Sequence, residues 1–346
     1  APGCLGCGRC CYGCPSGAKR STDRAFVPLI ESHGGRVVTS CRVDHLLWDQ
    51  KRVIGIKGTF LSHDGKSTSH TLLVRARETI LALGTIASPC FLQKEGIGNS
   101  HLGRHLTLHP ATKMFGVFDE AVNPWKGIPQ AMEISALHDQ GILFEGVVLP
   151  PDLVAVSLPF LGRKLSEFML NYSRVASFGY LIEDSSEGSV RQVPFVGPVI
   201  RYDMTDYDME RVRLASSFLA KVFFSAGAKK VISLLPGFSE LNSQEDLGRL
   251  EKARFRPRDF EGMAFHPLGT CRMAATPDRG AVDSHHRVFG VQGLRVCDGS
   301  VVPTGLGVNP QITIMALALR LGGLMSTEGP SLGAAPTSRP LGLEIR

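Results

Sequence analysis

Between residues 35 and 84 apolar positions alternate with polar ones in three short runs, "GRVVTSCRV", "RVIGIKGTFL" and "STSHTLLVRARETILALG", with the turn signal "HDGK" before the third. Period-two alternation suits strands with one wet and one buried face, so the stretch predicts a small antiparallel sheet feeding a buried strand. "ETILALG" ends in Gly84. The following "TIASPCFLQKEGIG" reads as a loop and a short helix closed by Gly96 or Gly98. Strand, glycine turn and helix in that order make a corner of the nucleotide-binding type.

From about 105 to 265 Pro and Gly are scattered among short apolar runs, and "LVAVSLPFLG" and "FVGPVIRYDM" read as strands of a second sheet. Period 3.6 takes over in "DYDMERVRLASSFLAKVFFSAGA". There Val212, Phe218, Leu219, Val222 and Phe223 fall near one face, Thr205 or Asp206 can cap the start, and Gly227 can end the helix. The last apolar segment, "LRVCDGSVVPTGLGVNPQITIMALALRLGGLM", again reads strand, glycine-rich loop, helix. The tail from 327 to 346 is polar and Pro/Gly-rich and predicts disorder. The fold class expected is α/β and α+β: an incomplete Rossmann-like domain joined to a second domain of antiparallel sheet and helices. The expected boundaries are 1–104, 105–265, 266–326 and a tail, 327–346.

With 346 residues, 43% hydrophobic and 20% charged, the chain can bury a large core, which sets aside disordered and fibrous classes. No apolar run of about 18 residues occurs, since "ITIMALALRLGGLM" is broken by Arg320, so a transmembrane helix is not expected. The compartment stays open between cytoplasm and periplasm, with a membrane-peripheral place also compatible. A net charge of +6 is dispersed over "RARE", "GAKK" and "EKARFRPRDF" instead of forming one basic block, which argues against a nucleic-acid partner.

Candidate chemistry gathers late in the chain. His266 in "FHPLGTCRM" precedes a proline, which holds it extended, and His is the usual proton-transfer group near neutral pH. Capping a strand end is the competing role. Asn309 precedes Pro310 at an expected helix start, where backbone N–H groups favour negative charge; an ordinary N-cap with Pro at the first helical position explains the same residues. Cys4, Cys7, Cys10 and Cys14 followed by Pro15 have the C-x₂-C-x₂-C-x₃-C-P spacing of a bacterial ferredoxin, with Cys11 extra. The alternatives are a structural zinc, disulfides and free thiols, and a lone cluster would need another ligand such as Cys41. Cys41, Cys90, Cys271 and Cys297 lie in apolar contexts that predict core positions. His105 and His109 are expected in a loop with ordinary hydrogen bonds, and His285 and His286 in a polar turn receive no role.

The segments "FHPLGTCRM", "RGAVDSHHRVFGVQGLRVCDGSVVPTGLGVNPQITIMALALRL" and "ETILALGTIASPCFLQKEGIG" together resemble the later two thirds of a glucose-methanol-choline (GMC) flavin oxidoreductase. "CCYGCPSGAKRSTDRAFVPLIESHGGRVVTSCRV" is most similar to its long-chain alcohol oxidase and cholesterol oxidase-like branch. The resemblance implies FAD-dependent oxidation of a small-molecule alcohol, with His266 as the base and Asn309 orienting the alkoxide. It also implies that Asp298 and Gly299 approach the ribityl and pyrophosphate region. Asn309, Pro310 and Gln311 would lie against the flavin ring, and Val43 and Gly84 near the ADP moiety. A lipophilic or long-chain alcohol is favoured over a sugar or polyol. An iron-sulfur cluster would hand electrons singly to an acceptor protein.

The departure from that pattern is the absence of a leading strand with G-x-G-x-x-G, because "GCGRCC" and "GLGVNP" each lack the third glycine. An N-terminally truncated chain is therefore expected. The rival reading is a non-catalytic fragment or electron-transfer module whose working centre is the cysteine cluster.

Overall fold

The computed structural model of the chain describes residues 1–148, 151–328 and 341–346. Two compact units emerge, each assembled from separated stretches: Ala1–His33, His109–Ser186 and Met204–Phe265 form one, and Gly34–Leu108, Glu187–Asp203 and His266–Arg346 form the other. The units change over near 108, 186, 203 and 265. The cysteine-rich start, expected in the 1–104 domain, groups instead with the middle of the chain. The segment Glu187–Asp203 goes the other way.

In the unit that carries His266, the strands Cys41–Asp49, Arg52–Leu61 and Ser67–Arg75 form the expected antiparallel meander. Leu46, Val53 and Leu72 are its buried apolar side chains, and Gly55 and Gly58 are buried beside them. A fourth strand, Gly342–Ile345, pairs antiparallel with Ser67–Arg75. This corrects part of the expected disordered tail: "GLEI" carries alternating apolar residues that satisfy an open sheet edge. Residues 329–340 of that tail lie outside the described residues.

Thr79–Leu81 pairs in parallel with Leu294–Val296, which brings two segments about two hundred residues apart into one ladder. Leu81, Phe91, Leu92, Leu294, Val296 and Val301 close a core around it. The helix Gly84–Lys94 leaves this ladder and packs on the strand Gly188–Val193, which is flanked by Gly197–Arg201 and Arg104–Leu106.

The other unit is built on a six-stranded antiparallel sheet, ordered Glu240–Leu241, Lys230–Ser233, Ala111–Val117, Val175–Ile182, Ile142–Gly146 and Glu133–Ile134. Neighbouring residues point to opposite faces: Met114 and Val231 enter the core beneath the helix Asp206–Ser225, whereas Phe115 and Ile232 enter a second core with Val154, Phe160 and Phe168. The long helix starts where the sequence placed it. Thr205 accepts the Asp208 N–H while Asp208 accepts the Thr205 N–H, a reciprocal cap, and Met209, Val212, Ala215, Leu219 and Phe223 are buried. The expected strand in "LVAVSLPFLG" is instead the helix Pro151–Ser157, of which Val154 is buried. A short apolar run fits either period, and only the packing of one side against Phe115 selects the helix. Among the described residues no helix is long and apolar enough to cross a membrane.

Candidate active site

The parallel ladder ends at Leu81, and Gly84 opens the helix behind it with φ at +88°, a left-handed value that favours glycine. Asp298, at the end of the partner strand, reaches across. Its Oδ2 accepts the Gly84 N–H at 2.9 Å and the Ser88 hydroxyl at 2.5 Å, while Oδ1 accepts the Ser300 N–H at 2.8 Å. A carboxylate thus satisfies donors at a helix start, where the macrodipole favours negative charge.

The same helix turn holds the His266 loop. Thr85 Oγ1 donates to the Pro267 carbonyl at 2.6 Å, and Thr270 Oγ1 donates to the Thr85 carbonyl at 2.5 Å. The Cys271 N–H donates to the Ser300 carbonyl at 2.8 Å and the Met273 N–H to the Val301 carbonyl at 3.0 Å. Gly299 packs tightly between them: a Cβ there would stand 3.1 Å from Thr85 Oγ1 and 3.2 Å from the Pro267 oxygen, close enough that these neighbours would have to shift by a few tenths of an ångström. The structure therefore brings Gly84, Asp298, Gly299 and the His266–Pro267 loop into one hydrogen-bonded assembly.

His266 is half-buried, and burial pushes its imidazole below the usual 6.5, which keeps it neutral and able to accept a proton at neutral pH. Asn309 and Gln311 are exposed on either side of buried Pro310, at the entry to the helix Gln311–Glu328. Val43 lies on the strand Cys41–Asp49 opposite Gly58 and packs on the core that includes Leu81 and Phe91.

These residues can be tested against a bound FAD. A Cβ placed on Gly84 would meet nothing within 4 Å, so the helix start is open to a close-approaching group, and at the other helix start Asn309 and Gln311 are exposed. Both offer backbone suited to a flavin or phosphate. The Asp298 carboxylate and the Gly84 N–H are engaged with each other, so Gly84 offers a cofactor an uncrowded approach and not a free donor. Two larger cavities lie elsewhere: one of about 430 Å³ beside Asn99, Arg104 and Arg191, and one of about 630 Å³ beside Arg213 and Arg254. Neither is lined by a predicted site residue.

The iron-sulfur reading is not carried by the cysteine geometry. Cys4, Cys7, Cys10 and Cys14 all border one cavity, but its volume is about 20 Å³, room for little more than one water. Among the described residues no three His, Cys, Asp or Glu side chains converge on a point that could hold a metal. All nine cysteines are free thiols. Cys14 Sγ sits 3.5 Å from Ser16 Oγ and accepts the Lys19 N–H at 3.4 Å, and these bonds hold its thiol down at about 7. Cys90 and Cys271 are core residues as expected, and burial pushes Cys271 up to about 12. Cys41 and Cys297 are only half-buried.

Sequence reasoning missed the supports. Thr85 and Thr270 gave no signal beyond lying next to Gly84 and within "PLGTCRM". His105 belongs to the short strand Arg104–Leu106 and not to a loop. Its Nε2 is 2.9 Å from His101 Nδ1 and its Nδ1 is 2.7 Å from Glu187 Oε2, while His101 Nε2 donates to the Asp278 carbonyl at 2.6 Å. His286 is fully buried with Nδ1 2.9 Å from the Val296 carbonyl, a bond that ties the turn "DSHHR" to the parallel ladder.

Two family models, both described as GMC oxidoreductase, match residues 1–111 and 184–318. An uncharacterized GMC-type oxidoreductase of Mycobacterium tuberculosis is 33% identical over 321 residues, 92% of this chain and 50% of that protein. A long-chain-alcohol oxidase of Arabidopsis thaliana is 29% identical, over 90% of this chain and 44% of its own length. Pyridoxine 4-oxidase from Mesorbium loti has a similar fold, with a TM-score of 0.62 at 19% identity over 90% of this chain and 62% of that one. The chain spans about half the length of the first curated relatives it matches.

Proposed function

The chain belongs to the GMC oxidoreductase family, and from that premise we propose that it is the larger part of an FAD-dependent alcohol oxidoreductase with His266 as catalytic base. Bound FAD would supply the hydride acceptor. The alcohol carbon can release a hydride only as its O–H proton leaves, so the protein must take that proton in step. His266, neutral because burial disfavours its charge, is the acceptor, and its imidazole carries the proton until solvent removes it. Asn309, exposed at the helix entry, offers an amide donor to hold the alkoxide oxygen in place. Asn309, Pro310 and Gln311 would lie against the flavin ring through backbone, with Val43 and Gly84 near the ADP end of the cofactor. Asp298 and Gly299 shape that cradle.

The observation that carries this reading is the bond from Thr85 to the Pro267 carbonyl, which fastens the loop of the base to the helix start beside Gly84. A lipophilic, long-chain alcohol is the substrate class favoured, because the similar plant proteins are long-chain-alcohol oxidases. Bound FAD, once reduced, would need oxygen or a carrier as its electron acceptor.

The test is anaerobic reduction of FAD bound to the chain by a fatty alcohol, followed by absorbance. His266→Ala should slow flavin reduction by about 10²- to 10⁴-fold while FAD remains bound. Reduction at the wild-type rate in that variant removes His266 from the role. A sugar alcohol that outpaces the fatty alcohol redirects the substrate class.

A further inference from the structure

The strands Gly188–Val193 and Gly197–Arg201 form a hairpin whose apex is Pro194, Phe195 and Val196. Phe195 is fully exposed, at 109% of its reference area, and Val196 is 72% exposed. Neither contributes to a core. Phe195 also holds φ at +63°, a left-handed backbone value that turns normally give to Gly, Asn or Asp. The apex thus carries a large apolar side chain at the one place where both burial and backbone strain speak against it. A fold under selection for stability alone would not put it there.

The charge around the apex is equally one-sided. Ser189 pairs with Arg201 on one side, which puts Arg201 on the face of Ser189, and stands beside Arg104 of Arg104–Leu106 across a bulged register on the other. Arg191, two residues along, points to that same face. All three are exposed, and among the described residues none of their guanidinium groups has an ion pair or hydrogen bond. At strand spacing Arg191 stands about 7 Å from the end of the hairpin and the Arg201–Arg104 row about 13 Å. Along the two arms the first acidic residues are Glu187 and Asp203, each six residues and about 20 Å from the hairpin end at strand spacing, and Glu187 is already engaged by His105 and Arg272.

An apolar tip followed by a collar of uncompensated arginines is the order of layers met on entering an anionic bilayer, hydrocarbon boundary first and phosphates behind it. We propose that this hairpin docks the protein on an anionic phospholipid surface, with Phe195 and Val196 in the acyl boundary and Arg191, Arg201 and Arg104 on the lipid phosphates. Long arginine side chains reach from either row to the phosphate layer.

The test is co-sedimentation of the 346-residue chain with phosphatidylcholine vesicles, with and without about one-third phosphatidylserine. Binding is expected on the anionic vesicles only, and it should weaken as salt rises. Phe195→Asp should lower the partition coefficient tenfold or more, and Arg191→Ala and Arg201→Ala about fivefold each. Phe195→Gly separates docking from folding: it should lose vesicle binding yet melt no lower than wild type, because glycine relieves the left-handed strain. Failure of the folded chain to bind anionic vesicles overturns the proposal, as does binding that ignores both Phe195→Asp and the arginine changes. Concentration-dependent self-association that Phe195→Asp abolishes, with vesicles inert, would assign the apex to a second copy of the chain instead.

Discussion

Asp298→Ala is the sharpest test of how the site is held together. The Asp298 carboxylate is buried and accepts three donors, from Gly84, Ser88 and Ser300, and Ser88 and Ser300 are themselves fully buried. A hydrogen bond to a charged group contributes about 1.5–3 kcal/mol, and leaving a buried donor unmet costs about 1–3 kcal/mol. The three bonds share one acceptor, so they do not add fully, and water can enter part of the vacated space. The expected loss is about 3–5 kcal/mol, which for a unit of this size is a drop of roughly 10 °C in Tm. Asp298→Asn keeps the volume but turns one acceptor into a donor that faces other donors, so it should lose about 2–3 kcal/mol. Urea titration followed by circular dichroism gives both numbers, with an unchanged slope as the sign that the same surface unfolds. A loss under about 1 kcal/mol for Asp298→Ala would refute the reasoning, since the bonds that join the helix start to the Ser300 turn would then be dispensable.

Three shorter predictions follow from groups whose ionisation the fold shifts. His266 is pushed below 6.5 by burial, so the acid limb of alcohol oxidation should fall below that pH in a pH–rate profile; a limb at or above 6.5 would contradict a buried neutral base. The stability linkage has the same sign: the contribution is complete above the unfolded value and is lost as pH falls through the folded one. Cys14, held at about 7 by Ser16 and the Lys19 amide, should be alkylated by iodoacetamide well before Cys90 or Cys271 in a mass-spectrometric time course. Burial alone would push Asp208 up, but bonds from Ser186, the Ser185 and Thr205 amides and Arg211 outweigh it and hold the carboxyl at about 2. Its folded value being depressed, the stability it provides should be present above about 4 and fade as pH falls toward 2. Asp208→Asn should flatten that part of the acid-unfolding curve.

Which parts could be read in advance depends on how local their causes are. The meander of 41–75, the capped helix at 206 and the helix after Gly84 follow from period, cap and glycine, all of which act within a few residues. "LVAVSLPFLG" reads either way because four alternating positions do not separate two periods, and the packing that decides it, Val154 in one cluster with Phe115, joins residues about forty apart. The strand Gly342–Ile345 was hidden for a similar reason. Its four residues gain order only from Leu72, Leu73, Val74 and Arg75 across the ladder.

The candidate site shows the same division between types of residue and their supports. His266 and Asn309 could be nominated because their chemistry and the prolines beside them are written in the sequence. Thr85 and Thr270 could not, because a threonine announces nothing until its hydroxyl is placed against a carbonyl 182 or 185 residues away in the chain. The cysteine run is the converse case: its spacing is a strong local signal, yet spacing does not dictate convergence. In the fold Cys7 bridges to Gly127 and the Gly127 N–H bonds to the Gly6 carbonyl at 3.0 Å, and the space that Cys4, Cys7, Cys10 and Cys14 border is only about 20 Å³. Four thiolates hold a cluster when the backbone turns them to one centre, and among the described residues no three ligand-type side chains converge in that way.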